Sequence, residues 1–311
     1  MESTKSGDEP ANSESDVWSD WLLHHRHADD AAYNTLVQAA VQGYADRLLD
    51  GARLAEGMTL LEIGSGEGLV AFRAIERVGP SLKVILTDVS APMLQYAESV
   101  SQIRDVRSQC TFLECSAEKL EGVADASVDT VGSRAVLAYV ANKSAALGEC
   151  LRVLKPGGHL SIAEPLLQDD AFYARALRNR IQDRSRPVDR FVTLLHRWKS
   201  AQFPDTEEAA AKSPIVNYSE RDLVNMVRGA GFAEIHMQLH IDVVPSLITS
   251  WDVFVGVSPH PWAPTLKQIL AERFTAEESE FFERMVRPTV ESGKNMTTDR
   301  VVYLQAQKPF S

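Results

Sequence analysis

Leu60-Leu61-Glu62-Ile63-Gly64-Ser65-Gly66-Glu67-Gly68 is the stretch on which the fold turns. An apolar run around one acidic residue is short enough for a buried strand. Three glycines at alternate positions follow, and then a helical pattern places Ala71, Ala74, Ile75 and Val78 on one face. Glycine permits a tight turn and lets a ligand approach the main chain, while the helix behind it offers free amide donors at its N-terminus. Alone, such a turn indicates no more than a nucleotide-like ligand. A nicotinamide-binding dinucleotide fold needs glycines at the first, third and sixth positions, and the sixth position counted from Gly64 is Leu69. The spacing therefore speaks against an oxidoreductase.

Outward from this turn, β-rich runs alternate with helical patterns. The strand candidates are Thr59 to Ile63, Lys83 to Thr87, Thr111 to Leu113, Val128 to Ser133, Leu160 to Glu164, Ala233 to about His240 and Val301 to Gln307. This alternation predicts an α/β fold: a Rossmann-like, seven-stranded, mostly parallel sheet with helices on both faces. Residues 1–15 are almost free of apolar side chains and are expected to form a disordered tail. Residues 16–47 carry Trp18, Trp21 and an amphipathic helical pattern, expected as an N-terminal helical lid on a core of residues 48–165. Residues 166–213 break the alternation with an Arg-rich helical stretch, expected as an inserted cap. Residues 214–311 return to the sheet around a second insertion at about 248–296. Capping boxes are expected at Ser219 with Asp222 and at Thr275 with Glu278.

With these segments in order, the chain resembles the class I S-adenosylmethionine-dependent methyltransferases, in the branch of the ubiquinone-biosynthesis and small-molecule enzymes. The resemblance covers roughly residues 48 to 165 well and the rest of the sheet loosely. It implies that Glu62, Gly64, Ser65, Gly66 and Gly68 flank the methionine part of S-adenosyl-L-methionine, and that Asp88, at the end of the second strand, holds both ribose hydroxyls. It implies further that Met93 packs on the adenine and that Ser116-Ala117-Glu118 reads the adenine amino group. Ser116 departs from the usual Asp or Asn and would accept that bond more weakly. Ser127 to Val131 resembles the family's fourth-strand signature, and Leu154-Lys155-Pro156-Gly157-Gly158 its turn before strand five. Arg134, after the fourth strand, is expected near the methionyl carboxylate.

Composition bounds the remaining choices. The net charge of −11 opposes a polyanionic partner, so no nucleic-acid substrate is expected. The one basic run, Arg175, Arg178, Arg180, Arg184, Arg186, Arg190, Arg197 and Lys199, reads as a solvated helical face before it reads as an anion site. No apolar run suits a membrane span. Cys110, Cys115 and Cys150 fit no metal spacing and read as buried thiols, which with the absence of a secretory pattern suggests a cytoplasmic setting. The oligomeric state stays open between monomer and dimer.

Methyl transfer from a sulfonium is a direct displacement. It needs an aligned nucleophile, sealed walls and, for some acceptors, a base. In open α/β sheets the pocket lies beyond the carboxyl ends of the strands. Glu164 at the end of strand five, His24 from His24-His25-Arg26-His27, and His196 are the catalytic candidates. One of His24, His25 or His27 is expected to reach substrate. Trp21, His25, Tyr139 and Trp198 are candidates for the substrate pocket, and no metal is expected. Glu164 has an equal reading as a loop anchor, and His196 a packing or surface role. The acceptor is expected to be a small organic molecule, perched in an apolar pocket built from the aromatics of lid and insertions. A peptide or protein acceptor, and a non-catalytic cofactor-binding module, are the competing readings.

Overall fold

The computed structural model describes residues 16–310, and the tail expected over residues 1–15 lies outside the described residues. The strands are β1 (Thr59–Ile63), β2 (Lys83–Asp88), β3 (Cys110–Glu114), β4 (Val128–Arg134), β5 (Leu154–Pro165), β6 (Ala233–Pro245) and β7 (Met296–Gln307). They form one sheet in the order β3-β2-β1-β4-β5-β7-β6. Strands β1 to β5 pair in parallel, and β7 runs antiparallel to both of its neighbours. The mostly parallel, seven-stranded α/β sheet predicted from the alternation is therefore present.

The helices, in chain order, are α1 (Val17–Asp20) and, beyond a π-helical turn (Trp21–His25), α2 (Ala31–Gly51). Next come α3 (Leu69–Val78), α4 (Ala91–Ile103) and α5 (Lys143–Val153). Between β5 and β6 lie α6 (Gln168–Gln182), α7 (Arg190–Gln202), α8 (Glu207–Lys212) and α9 (Glu220–Gly229). Between β6 and β7 lie α10 (Trp251–Gly256), α11 (Leu266–Arg273) and α12 (Ala276–Glu291).

Strand periodicity decides which helix covers which face, because neighbouring side chains of a strand point to opposite sides. Leu60 meets Leu48 of α2, Val70 of α3 and Leu94 of α4 in one core cluster. Leu61 meets Leu147 of α5, Leu223 of α9 and Leu304 of β7 in the other. A parallel sheet buried on both faces needs apolar residues in both phases, and the pair Leu60-Leu61 supplies them. Both expected capping boxes form, with the Ser219 and Asp222 pair opening α9 and the Thr275 and Glu278 pair opening α12. The three cysteines are buried free thiols, and burial pushes the Cys150 thiol up to about 12.

Strands β6 and β7 run further than the sequence pattern indicates. Residues from Ile241 to Pro245 stay paired with residues from Arg300 back to Met296, beyond the end of β5. The β-branched residues there continue the strand on an exposed ribbon, where no periodic burial marks it.

The segments before α9 and before β7 share one small core. Leu194 of α7 joins Trp251 and Val255 of α10, Leu266 and Ile269 of α11, and Phe282 of α12, with Trp198 packed against them. Phe282 is fully buried, with the rings of Phe191, Trp198 and Phe274 within 5.6–5.8 Å of its own. Removing a buried phenyl ring costs about 3–5 kcal/mol. Phe282→Ala is therefore expected to lower the thermal midpoint of this cap. Near-ultraviolet circular dichroism, which reports the packing of Trp198 and Trp251, would show an earlier melt. An unchanged midpoint would refute a shared core.

Candidate active site

The turn after β1 is held open by carboxylates. Glu62, itself buried, accepts the backbone N–H of Ala71 at 2.8 Å and of Val70 at 3.3 Å, so it caps the first turn of α3. Burial pushes its carboxyl up to about 8, against the pull of the two amides. Asp88, at the end of β2, accepts the Gly66 N–H at 2.8 Å with one oxygen and the Ser90 N–H at 3.0 Å with the other. Burial raises its carboxyl as well. The Ser65 N–H donates to the Thr87 carbonyl at 2.9 Å, joining the turn to β2.

Two of the glycines are required where they stand. Gly64 has φ +60°, and a Cβ there would collide with Val136. Gly66 has φ +50°, and the space where its Cβ would sit is open as far as Leu22, 3.7 Å away. At both, the left-handed backbone favours glycine.

A cavity of about 650 Å³ opens on this turn, beyond the carboxyl ends of the strands. Glu62, Gly64, Ser65, Gly66, Asp88, Ser116, Ala117 and Arg134 line it, as the resemblance implies, and so do Trp21 and Tyr139. The Ser65 hydroxyl is buried and has no hydrogen-bond partner among the described residues. An orphaned hydroxyl on the cavity wall fits a polar ligand lying along the turn. Such a chamber, about 300–1,000 Å³ in volume, is the usual size of a small-ligand site.

The N-terminal segment closes the cavity from above. The Trp21 indole N–H donates to the Ser258 carbonyl at 3.1 Å, and the Ser258 N–H donates to the His25 carbonyl at 3.0 Å. Trp18 and Trp21 stand edge-on to Tyr139, with ring centres 5.3 and 6.1 Å away. Burial pushes the Tyr139 hydroxyl up to about 12.

Several expected site residues stand elsewhere. Met93 is fully buried in α4 and does not line the cavity; half-exposed Val89 lines it instead, because the helix turns Met93 beneath the strand end. Gly68 lies off the cavity as the left-handed N-cap of α3, with Phe72 packed where its Cβ would be. Glu164 is fully buried and accepts the N–H groups of Val136, Leu137 and Ala138 at 3.0, 3.1 and 3.3 Å. Its carboxylate anchors the loop after β4 and does not face the cavity. His24 pairs with Asp29 and His25 with Asp20, both outside the cavity. His196 pairs with Asp205 at 2.8 Å, and Trp198 belongs to the cap core.

His27 is the histidine that enters the cavity. Its ring packs edge-on to Tyr33 at 5.9 Å, and burial, with the Arg26 charge next, lowers it to about 4. The imidazole is therefore neutral near pH 7. Arg26, Tyr44, Asp170 and Asp299 also line the cavity, and the sequence reading assigned none of them. The Tyr44 hydroxyl donates to Asp299 at 3.1 Å. Adjacency to the His24-His25 pair was the one sequence signal for Arg26.

The basic run of the cap is largely ion-paired. Arg175 pairs with Glu207, Arg178 with Asp205, Arg190 with Glu277 and Arg197 with Glu278. Among the described residues no group of three metal-ligating side chains forms, and no helix is long and apolar enough to cross a membrane.

Known proteins match this arrangement. Residues 54–210, just over half of the chain, match the family model described as "Methyltransferase domain". The ubiquinone/menaquinone biosynthesis C-methyltransferase of Rhizobium meliloti is 28% identical over 204 residues, 64% of this chain and 73% of that protein. The tRNA 5-carboxymethoxyuridine methyltransferase of Escherichia coli K12 is 33% identical over 105 residues, 34% of this chain and only 39% of that protein. Among solved structures, the YcgJ protein of Bacillus subtilis superposes with a TM-score of 0.54 at 17% identity, covering 86% of this chain and 98% of that one. A [4+2]-cyclase, SpnF, superposes with a TM-score of 0.51 at 20% identity, covering 93% and 88%, so the fold alone does not name the reaction. The family match, on the strands and the glycine turn that build this cavity, places the chain among the class I S-adenosylmethionine-dependent methyltransferases.

Proposed function

We propose that this protein transfers a methyl group from S-adenosylmethionine to a small organic acceptor enclosed beneath the N-terminal segment, releasing S-adenosyl-L-homocysteine. The observation that carries the reading is one continuous cavity that joins the Gly64–Gly66 turn to Tyr139, His27 and Tyr44, which gives donor and acceptor a common space. When bound, S-adenosylmethionine supplies a methyl carbon on a sulfonium, open to direct displacement. Asp88 spends one lone pair of each oxygen on an amide and keeps others for two ribose hydroxyls. The Ser65 hydroxyl meets the methionyl portion, and Arg134 takes its carboxylate. Val89, Ser116 and Ala117 flank the adenine. His27, neutral near pH 7, accepts the proton of an O–H or N–H acceptor. Trp18, Trp21 and Leu22 keep water from the reacting centre.

A cavity of about 650 Å³ has the volume of a small-molecule site and favours such an acceptor over a peptide. The net charge of −11 and the ion-paired cap arginines speak against nucleic acid.

Calorimetric titration tests the donor site. S-adenosylhomocysteine is expected to bind, and Arg134→Gln to weaken it about 10- to 100-fold, the worth of a hydrogen bond to a charged group. The same variant is expected to leave 5′-methylthioadenosine, which lacks the carboxylate, unchanged. Equal losses for both ligands would remove Arg134 from that role, and no binding by the unaltered protein would end the donor reading.

The pH dependence tests His27. Because it sits at about 4 rather than 6.5, methyl transfer should hold as pH falls through 6.5 and drop only near 4. The unfolded chain gains the proton first, so His27 withdraws folding stability as pH falls from 6.5 towards 4. His27→Gln is expected to lower kcat about 100-fold, leave S-adenosylhomocysteine affinity intact and soften the acid loss of stability. An undiminished kcat would discard the base.

A further inference from the structure

Three arginines line the cavity, and two of them, Arg26 and Arg134, have no acidic partner among the described residues. Among the described residues, Arg26 and Arg134 form no ion pair and no side-chain hydrogen bond. Most other arginines with an acid in reach are engaged, as Arg300 is by Asp169 at 2.7 Å. Each of the two rests on an aromatic ring instead, Arg26 at 5.5 Å from the centre of Trp21 and Arg134 at 5.8 Å from that of Tyr44. The charges oppose one another: after burial, the nearness of Arg26 is the next cause that lowers Arg134. Two partly buried like charges with no counter-ion destabilise a fold unless a ligand supplies the missing negative charge.

No acid around the cavity bonds to either guanidinium. Asp299 accepts the Tyr44 hydroxyl, Asp170 lies in the fields of Lys199 and Arg300, and Glu62 and Glu164 act on Arg134 only through space. His27 adds no positive charge at neutral pH. One methionyl carboxylate satisfies one guanidinium. Arg134 is the nearer candidate, since it ends β4 two residues before Val136, whose side chain abuts Gly64. Arg26 stands on the N-terminal segment, beside the wall formed by Trp18, Trp21 and Tyr139.

We infer that the acceptor is a planar carboxylate, aromatic or conjugated, whose anionic group is seated by Arg26 and whose flat part lies against Trp18, Trp21 and Tyr139. This rests on the donor reading above. A guanidinium gives a carboxylate two parallel N–H donors, and the indole beneath Arg26 holds the fork in place. Rings that stand edge-on to one another offer a flat ligand one face to stack on and further ring edges to meet.

Full-length protein saturated with S-adenosylhomocysteine provides the test, titrated with benzoate, benzamide and benzylamine as anionic, neutral and cationic forms of one ring. Benzoate is expected to bind at least tenfold more tightly than the other two. Arg26→Gln is expected to erase that preference and to change S-adenosylhomocysteine affinity by less than twofold. Arg26→Lys is expected to retain part of the preference. Circular dichroism melts confirm that each variant folds, and a variant that does not fold is replaced by reading the salt dependence of benzoate binding in the unaltered protein. Tighter benzylamine binding, or no difference among the three, overturns the inference. So does a tenfold loss of S-adenosylhomocysteine affinity in Arg26→Gln, which would place Arg26 on the donor. Failure of S-adenosylhomocysteine to bind the unaltered protein is a separate result and falls on the donor reading itself.

Discussion

The site depends on a glycine turn whose backbone amides are held rigid while the space beside it stays open. Two carboxylates meet that demand from either side. Glu62 reaches forward from β1 to the amides of Val70 and Ala71, and Asp88 reaches across from β2 to the amide of Gly66. Carboxyl oxygens from two neighbouring strands accept these amides, so the turn is fixed without a side chain of its own filling the cavity. Parallel pairing of β1 with both β2 and β4 brings Asp88, Arg134 and the turn to one edge. The chemistry sits there because every strand of the parallel set ends there.

The sheet was legible because its rules are local. Alternating patterns, glycines and capping residues act over a few positions, so Ser219 with Asp222 announced a helix start before any contact was known. The same locality explains what the sequence leaves open. Glu164 and Asp88 both end parallel strands and look alike in sequence. One is covered by the returning loop at Val136 to Ala138 and the other stays open to the cavity. Met93 and Val89 are likewise both apolar residues after β2, and only the course of α4 decides which one faces the ligand.

The aromatics divide by the same principle. Trp198, Trp251, Phe254 and Phe282 fill the core that the two insertions make with each other, whereas Trp18 and Trp21 remain for the cavity. Composition counts all of them equally. Each insertion is too short to bury its own apolar face, and each finds its partner about 60 residues or more along the chain, as His260 and Gln202 do through a 2.7 Å hydrogen bond. Contacts at that separation leave no periodic trace in either segment.

This division bears on how the cavity operates. The roof is not continuous with the sheet: Trp21 and His25 are tied to Ser258 of the second insertion, while Leu22 of the same turn lies over Gly66. A ligand on the glycine turn therefore touches a segment that is also tied to the cap. Two hydrogen bonds, at about 1 kcal/mol each, tie this segment to the second insertion, and the edge-on packing of Trp18 and Trp21 on Tyr139 adds to them. In the proposed reading, donor recognition lies with the strand ends and the glycine turn, and selection of the acceptor with Arg26 and His27 on the N-terminal segment.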